Sequence, residues 1–235
     1  MKILALDSSA TVASVALCED GRLLAEYTLK NGNTHSETLL PMIESLLSQF
    51  SMNVGDIDLF AASMGPGSFT GVRIGAATLK GLAFASGKPC VCVSTLEALA
   101  ENLAAFKGLI CPVMNARRSQ VYTALFRSDG KTLTRLMPDS ALAISELDEK
   151  LAEYGEAVML SGDGYGITKA GFEKTPTADT PDRLTHQSGY SVATVALREY
   201  LAGNATDDKG AKVTYLRPSQ AERELMDKQS QKGEK

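Results

Sequence analysis

Tryptophan is absent from this 235-residue chain, histidine occurs twice and cysteine four times. The two histidines, His35 and His186, cannot by themselves assemble a metal site of the usual kinds, which needs three or four converging His, Cys or carboxylate ligands, and neither H-x-x-x-H nor H-E-x-x-H occurs. Cys18, Cys90, Cys92 and Cys111 show no C-x-x-C spacing, and Cys90 and Cys92 alternate on one face of a predicted strand, so all four read as reduced core residues. Basic charge is not in excess: 24 Lys and Arg stand against 28 Asp and Glu, for a net charge of −4. An acidic chain lacks the footprint of a stand-alone nucleic-acid binder, so any RNA it serves is expected to be reached only through a complex. No uncharged apolar run approaches the ~18 residues of a membrane span. The opening run Ile3 to Leu6 is closed by Asp7, short of the roughly 7–15 apolar residues of an export signal. A cytoplasmic location and no membrane partner are expected.

The chain does have the composition of a folded protein, with 44% hydrophobic and 22% charged residues. Its length allows one large domain or two small ones. Ile3 to Leu6, Val12 to Cys18 and Arg22 to Leu29 read as a three-strand meander turned at Asp20-Gly21. Leu39, Leu40, Ile43, Leu46 and Leu47 then recur at helical spacing and predict a helix over residues 35–49, with Thr34 and Glu37 as a capping box. A strand over Ile57 to Met64, a helix over Val72 to Ala85, a strand over Cys90 to Val93 and a helix to about Ala105 follow, giving β-β-β-α-β-α-β-α. Three strands start again at Leu109 to Asn115, Val121 to Phe126 and Leu133 to Leu136. Helices over Ile144 to Tyr154 and Tyr190 to Leu201 flank a strand over Ala157 to Ser161. The repeated order predicts two related α/β units, 1–106 and 107–235, with the charged tail from Glu222 to Lys235 frayed.

Three stretches invite a chemical reading. Asp7-Ser8-Ser9 ends the first strand with a carboxylate but lacks the glycine that lets backbone approach a phosphate closely. Gly65-Pro66-Gly67-Ser68-Phe69-Thr70-Gly71 packs glycines between a strand and a helix, where either an anion cradle or a tight structural turn fits, yet it is neither a Walker A loop nor a Rossmann fingerprint. Gly162-Asp163-Gly164 sits where a second half would contribute to a cleft, and Arg117-Arg118 is the one adjacent basic pair in the body of the chain.

The run from Gly65 to Gly75, together with His35-Ser36-Glu37-Thr38-Leu39-Leu40-Pro41, Ser94-Thr95-Leu96-Glu97-Ala98-Leu99-Ala100, Asn115 to Tyr122 and Tyr215-Leu216-Arg217, resembles the TsaB (YeaZ) family. The resemblance spans nearly the whole chain, with Asn115 and Gln120 standing where that family usually has Asp and Glu. It implies a duplicated actin-like fold (ASKHA, ribonuclease H-like). It further implies a scaffold role in forming threonylcarbamoyladenosine in tRNA, beside a catalytic TsaD-like subunit and a TsaE-like ATPase. The catalytic paralogue holds its metal with two histidines on a helix. Those positions fall on Thr95 and Leu99 here, so the resemblance implies a non-catalytic chain without metal.

Pairing through the first two helices is implied, with His35, Leu39, Ile43, Leu46, Val72 and Leu79 as the expected partner-binding residues and a homodimer when the partner is absent. No cofactor is expected beyond weak nucleotide binding at a heteromer interface, for which Asp7, Ser8, Ser9, Gly65, Gly67 and Gly164 are the candidates. The alternative reading is an actin-like-fold ATPase or small-molecule phosphotransferase, which needs a glycine beside Asp7 and a general base in the cleft. A peptidase would need a metal or a nucleophile paired with a base, and neither histidine has that context.

Overall fold

The computed structural model describes residues 1–32 and 34–217, and the expectation for Glu222 to Lys235 lies outside them. The first half contains strands β1 (Lys2–Asp7), β2 (Ala13–Glu19) and β3 (Arg22–Leu29), then α1 (His35–Gln49), β4 (Leu59–Ser63), α2 (Phe69–Ser86), β5 (Cys90–Val93) and α3 (Thr95–Glu101). The second repeats the order with β6 (Lys107–Asn115), β7 (Gln120–Asp129), β8 (Leu133–Ala143), α4 (Ile144–Ala152), β9 (Val158–Ser161), α5 (Tyr165–Gly171), β10 (Thr177–Ala178) and α6 (Gly189–Leu201). Each sheet has five strands, ordered β3-β2-β1-β4-β5 and β8-β7-β6-β9-β10. The hairpin strands pair antiparallel, whereas β1-β4-β5 and β6-β9-β10 pair parallel. Counted within its own half, each sheet therefore has the same topology, the duplicated ribonuclease H-like arrangement of the actin-like fold.

The alternation of side chains along β1 sets the layers. Leu4 and Leu6 face α1 and α2, packing with Leu39, Ile43, Leu46 and Leu79, while Ile3 and Ala5 face the other way onto Val192, Val195 and Ala196 of α6. The second sheet presents Leu109, Cys111 and Val113 to α4 and Ile110 and Met114 to α3, whose Leu96, Leu99 and Ala100 are buried. The helices between the sheets are thus exchanged: α3 follows the first sheet in sequence but packs on the second, and α6 does the reverse. Residues 189–201, which fall in the expected second unit 107–235, complete the core of the first sheet.

Two polar devices hold the exchange. Glu26 Oε1 accepts from Ser188 Oγ (2.8 Å) and Tyr190 N (3.1 Å), placing a carboxylate at the N-terminus of α6, where the helix dipole favours negative charge. Gly189 lies against β2, where an added Cβ would stand 2.7 Å from Ala16 N. At the other end, Arg198 bonds Glu101 (2.7 Å) and Glu97 (3.2 Å), and Arg135 of β8 bonds Glu97 (2.7 Å) and Asp139.

Several local expectations are corrected. Thr34 sits at the N-cap of α1 but its side chain makes no capping bond; its carbonyl accepts from Glu37 N instead, so the capping box does not form. Helix α2 starts at Phe69, capped by Ser68, and α3 stops at Glu101. Strand β8 runs on to Ala143, and α5 and β10 were not predicted. The cysteines carry no disulfide: Cys18, Cys90 and Cys111 are buried and Cys92 is half-buried. Desolvation pushes the thiols of Cys18 and Cys90 up to about 11 and that of Cys111 up to about 12.

Candidate functional site

The ends of the parallel strands of both sheets meet at a cleft of about 540 Å³. Ligands of open α/β sheets bind at this position, outside the carboxyl ends of the strands. One wall comes from Ser9, Ala10 and Thr11 after β1 and from Pro66 to Thr70 at the start of α2. The other comes from Met114 to Arg117 and Tyr122 of the β6–β7 hairpin and from Asp163 after β9, and the segment Thr214 to Arg217 crosses between them.

The glycine loop is occupied by the protein itself. Ser68 N donates to Ser9 O (2.7 Å), Thr95 N to Gly65 O (3.0 Å) and Thr214 N to Met64 O (2.8 Å), while Ser8 Oγ donates to Gly71 O (2.9 Å). A Cβ on Gly67 would stand 2.6 Å from Ser9 O, and one on Gly71 would collide with Ser8 O. Close backbone approach is what these glycines permit here, between the loop and the β1 turn. Of the six nucleotide candidates, Ser9 and Gly67 line the cleft, and Asp7, Ser8, Gly65 and Gly164 lie behind its walls. Asp7 is 1% exposed, and its Oδ1 accepts from Ser9 N (2.8 Å) and Ser9 Oγ (2.6 Å). Desolvation raises its pKa above the ordinary carboxylate value.

The expected partner residues lie mostly inside the first half. Leu39, Ile43, Leu46, Val72 and Leu79 are all 2% exposed or less and belong to the core of the first half, because α1 and α2 turn these side chains onto the sheet. His35 is half-buried, with Nε2 2.6 Å from Ala10 O. The outer faces of the two helices present Leu40 (49% exposed) and Phe84 (74% exposed) instead.

On α3, Thr95 and Leu99 are 0% and 1% exposed. The Thr95 hydroxyl has no hydrogen-bond partner, and Leu99 Cδ1 lies close to Gly162. A single hydroxyl beside an alkyl side chain does not fit a transition-metal ion, and among the described residues no group of three His, Cys, Asp or Glu is placed to hold one. No helix among the described residues is long and apolar enough to cross a membrane.

The cleft also gathers residues the motif search did not connect. The Arg73 guanidinium stacks 3.7 Å from the Phe69 ring centre and its Nε donates to the Tyr215 hydroxyl (2.8 Å). Arg217 reaches across to Ala116 O (3.5 Å). Asp163 Oδ1 accepts from Asn115 N (3.0 Å); the residue is exposed at the rim, yet its carboxyl lies low enough that desolvation raises its pKa. The nearest sequence signal was the Tyr215-Leu216-Arg217 run, 142 residues from Arg73 and beyond any local pattern.

Fold and site together define a duplicated actin-like chain with a cleft between its two sheets. The family model described as TsaD, tRNA N6-adenosine threonylcarbamoyltransferase, matches residues 23–224. The chain is 37% identical over 169 residues to the tRNA threonylcarbamoyladenosine biosynthesis protein TsaB of Bacillus subtilis, spanning 72% of this chain and 74% of that protein. It is 37% identical over 131 residues to the protein of the same name from Escherichia coli, 55% of this chain and 56% of that one. The solved structure of YeaZ from Pseudomonas aeruginosa matches with a TM-score of 0.76 at 25% identity, over 92% of this chain and 99% of that one. The chain belongs to the TsaB (YeaZ) family of tRNA threonylcarbamoyladenosine biosynthesis proteins, related to TsaD.

Proposed function

We propose that this chain is a non-catalytic partner subunit in the formation of threonylcarbamoyladenosine in tRNA, acting in the cytoplasm. The observation that carries this reading is the burial of Thr95 and Leu99 on α3, the positions on which the resemblance places a catalytic relative's metal ligands. A chain that keeps the fold but not the ligands contributes surface rather than chemistry. Its catalytic partner is a TsaD-like subunit docked on the outer faces of α1 and α2, a TsaE-like ATPase joins them, and tRNA is reached through the assembly. Without the partner, the same faces pair two copies of this chain. In support, beyond Arg73 the exposed stripe of α2 runs through the small residues Ala77, Gly81 and Ala85 beside Phe84, so another helix can approach closely there.

The test is affinity for a TsaD-like subunit, measured with Leu40→Glu and Phe84→Glu. Losing a large apolar anchor costs about 2 kcal/mol, roughly thirtyfold in affinity, and the added charge deepens the loss. Thermal melts should stay unchanged, because both side chains are exposed. Folded variants that bind at full strength would move the partner surface to the second half. One tightly bound iron or zinc per chain after dialysis would overturn the non-catalytic reading.

A further inference from the structure

Arg73 stands apart from the arginines that serve the fold. Arg127, Arg135 and Arg198 each bond a carboxylate of this chain. Arg73 is exposed and bonds no carboxylate among the described residues; its Nε donates to the Tyr215 hydroxyl (2.8 Å), and the guanidinium lies 3.7 Å from the centre of the Phe69 ring. The Phe69 and Tyr215 rings in turn touch, with centres 5.1 Å apart. Tyr215 is itself tied down on both sides. One residue back, Thr214 N donates to Met64 O (2.8 Å) and Thr214 O occupies the space that a Cβ on Gly65 would need; two residues on, Arg217 reaches Ala116 O (3.5 Å). A long, flexible cation on the surface is thus held in one pose by a ring on its face and a hydroxyl at its Nε.

That pose spends Nε and leaves the two terminal nitrogens of the guanidinium for another acceptor, and a planar pair of N–H groups matches the two oxygens of a carboxylate. The charges of the two outer helices point the same way. Helix α2 contains Arg73 and Lys80 and no acidic residue, whereas α1 contains Glu37 and Glu44 and no Lys or Arg, so a surface complementary to α2 is acidic. From Arg73 to the exposed Phe84 is eleven residues of helix, about 16 Å along its axis, a span that suits an element of a protein rather than a small anion. Interface anchors are enriched in arginine and aromatic side chains, and an arginine already fixed in its bound pose loses less freedom on association. We infer that Arg73 anchors a carboxylate of the docked partner subunit, an Asp or Glu side chain held by its two terminal nitrogens, with Tyr215 as the residue that positions it. This rests on the reading that the partner docks along α1 and α2, and adds to it the chemistry that the partner presents.

Calorimetric titration of the full chain and its variants with a TsaD-like subunit tests the inference. Arg73→Ala should weaken binding about 10- to 100-fold, the range expected for hydrogen bonds to a charged group, and Arg73→Lys should recover little of this, because an ammonium keeps the charge but not the fork. Tyr215→Phe keeps the ring and loses the hydroxyl; it should melt like the wild type and weaken binding about three- to tenfold. Added salt should weaken the wild type and Tyr215→Phe more steeply than Arg73→Ala, a difference that a purely structural arginine would not produce. Arg127→Ala should bind like the wild type. Should Arg73→Ala fail to fold, Arg73→Lys carries the test. If Leu40→Glu and Phe84→Glu weaken binding but Arg73→Ala does not, the anchor is overturned and the docking face stands; if none of the three does, both fall. Full affinity in Arg73→Lys also overturns the inference. So does an Arg73→Ala chain that no longer self-associates yet binds the subunit at full strength, which would hand the anchor to a second copy of this chain.

Discussion

The two halves share one strand order but cover their outer faces by different means. Over the first sheet lie α1 and α2, of 15 and 18 residues, and they bury a broad set of leucines, isoleucine and alanines. Over the second lie α4 and α5, of only nine and seven residues. What the second half lacks in apolar area it replaces with directed bonds: the nearly buried carboxylate of Asp148 accepts from the backbone N–H groups of Glu173 (2.8 Å), Lys174 (2.9 Å) and Thr175 (2.8 Å). One topology thus tolerates either solution, and only the first lays two long helices side by side. The inner layer differs again, because there each half is finished by the other's helix.

The most severe way to break this comparison is to cut the chain between the halves. A fragment of residues 1–106 keeps the first sheet but loses Val192, Val195 and Ala196 of α6, leaving Ile3, Ala5, Leu59 and Val91 without cover. It should show no cooperative thermal transition by circular dichroism; a sharp melt would mean that the exchanged helix is dispensable. Next in size, Leu96→Ala on α3 removes a fully buried side chain from the core of the second sheet and should cost about 2–5 kcal/mol in denaturant unfolding. Leu39→Glu should likewise abolish the native melt, in contrast to Leu40→Glu one residue away, which should leave it intact.

A smaller effect sharpens the contrast in outer layers. Desolvation pushes Asp148 up, but its hydrogen bonds to the 173–175 segment outweigh this and hold its pKa below the ordinary carboxylate value. A depressed folded-state pKa gives stability that is full above the unfolded value, near 4, and is lost as pH falls through the folded value. Asp148→Asn should therefore cost about 1–3 kcal/mol at neutral pH and flatten the decline of melting temperature in acid. An equally steep decline in the variant would assign that acid sensitivity to other carboxylates. Smallest of all, Arg127→Ala breaks an exposed pair with Glu156 (2.6 Å) and should leave the melting temperature essentially unchanged.

Periodicity and turn residues made most of the elements legible, because β1, β2, α1 and α6 carry strong local patterns. They failed where an element is short or held from outside. Helix α5 buries only Thr168 and so has no apolar stripe to read, β10 has two residues, and Pro138 in β8 obscures a strand that the pairing with β7 sustains. The exchange of α3 and α6 was invisible because an apolar face records that it is buried, not against which sheet. For the same reason Leu39, Ile43 and Leu46 read as partner anchors while serving the core. Ser9, Gly67, Arg117 and Asp163 were each singled out in the sequence, but their meeting with Tyr122 and Tyr215 in one cleft depends on the third dimension.

The buried, unpaired cysteines have a practical use. A thiol whose pKa lies near 11 or 12 presents almost no thiolate at neutral pH and stays inert to alkylating reagents while the sheets are closed. Cys18 sits in β2 of the first sheet and Cys111 in β6 of the second, so each reacts only when its own sheet opens. Mass-spectrometric alkylation of the unmodified chain therefore times the opening of the two halves separately. Equal rates at Cys18 and Cys111 would be the kinetic signature of halves locked together by their exchanged helices.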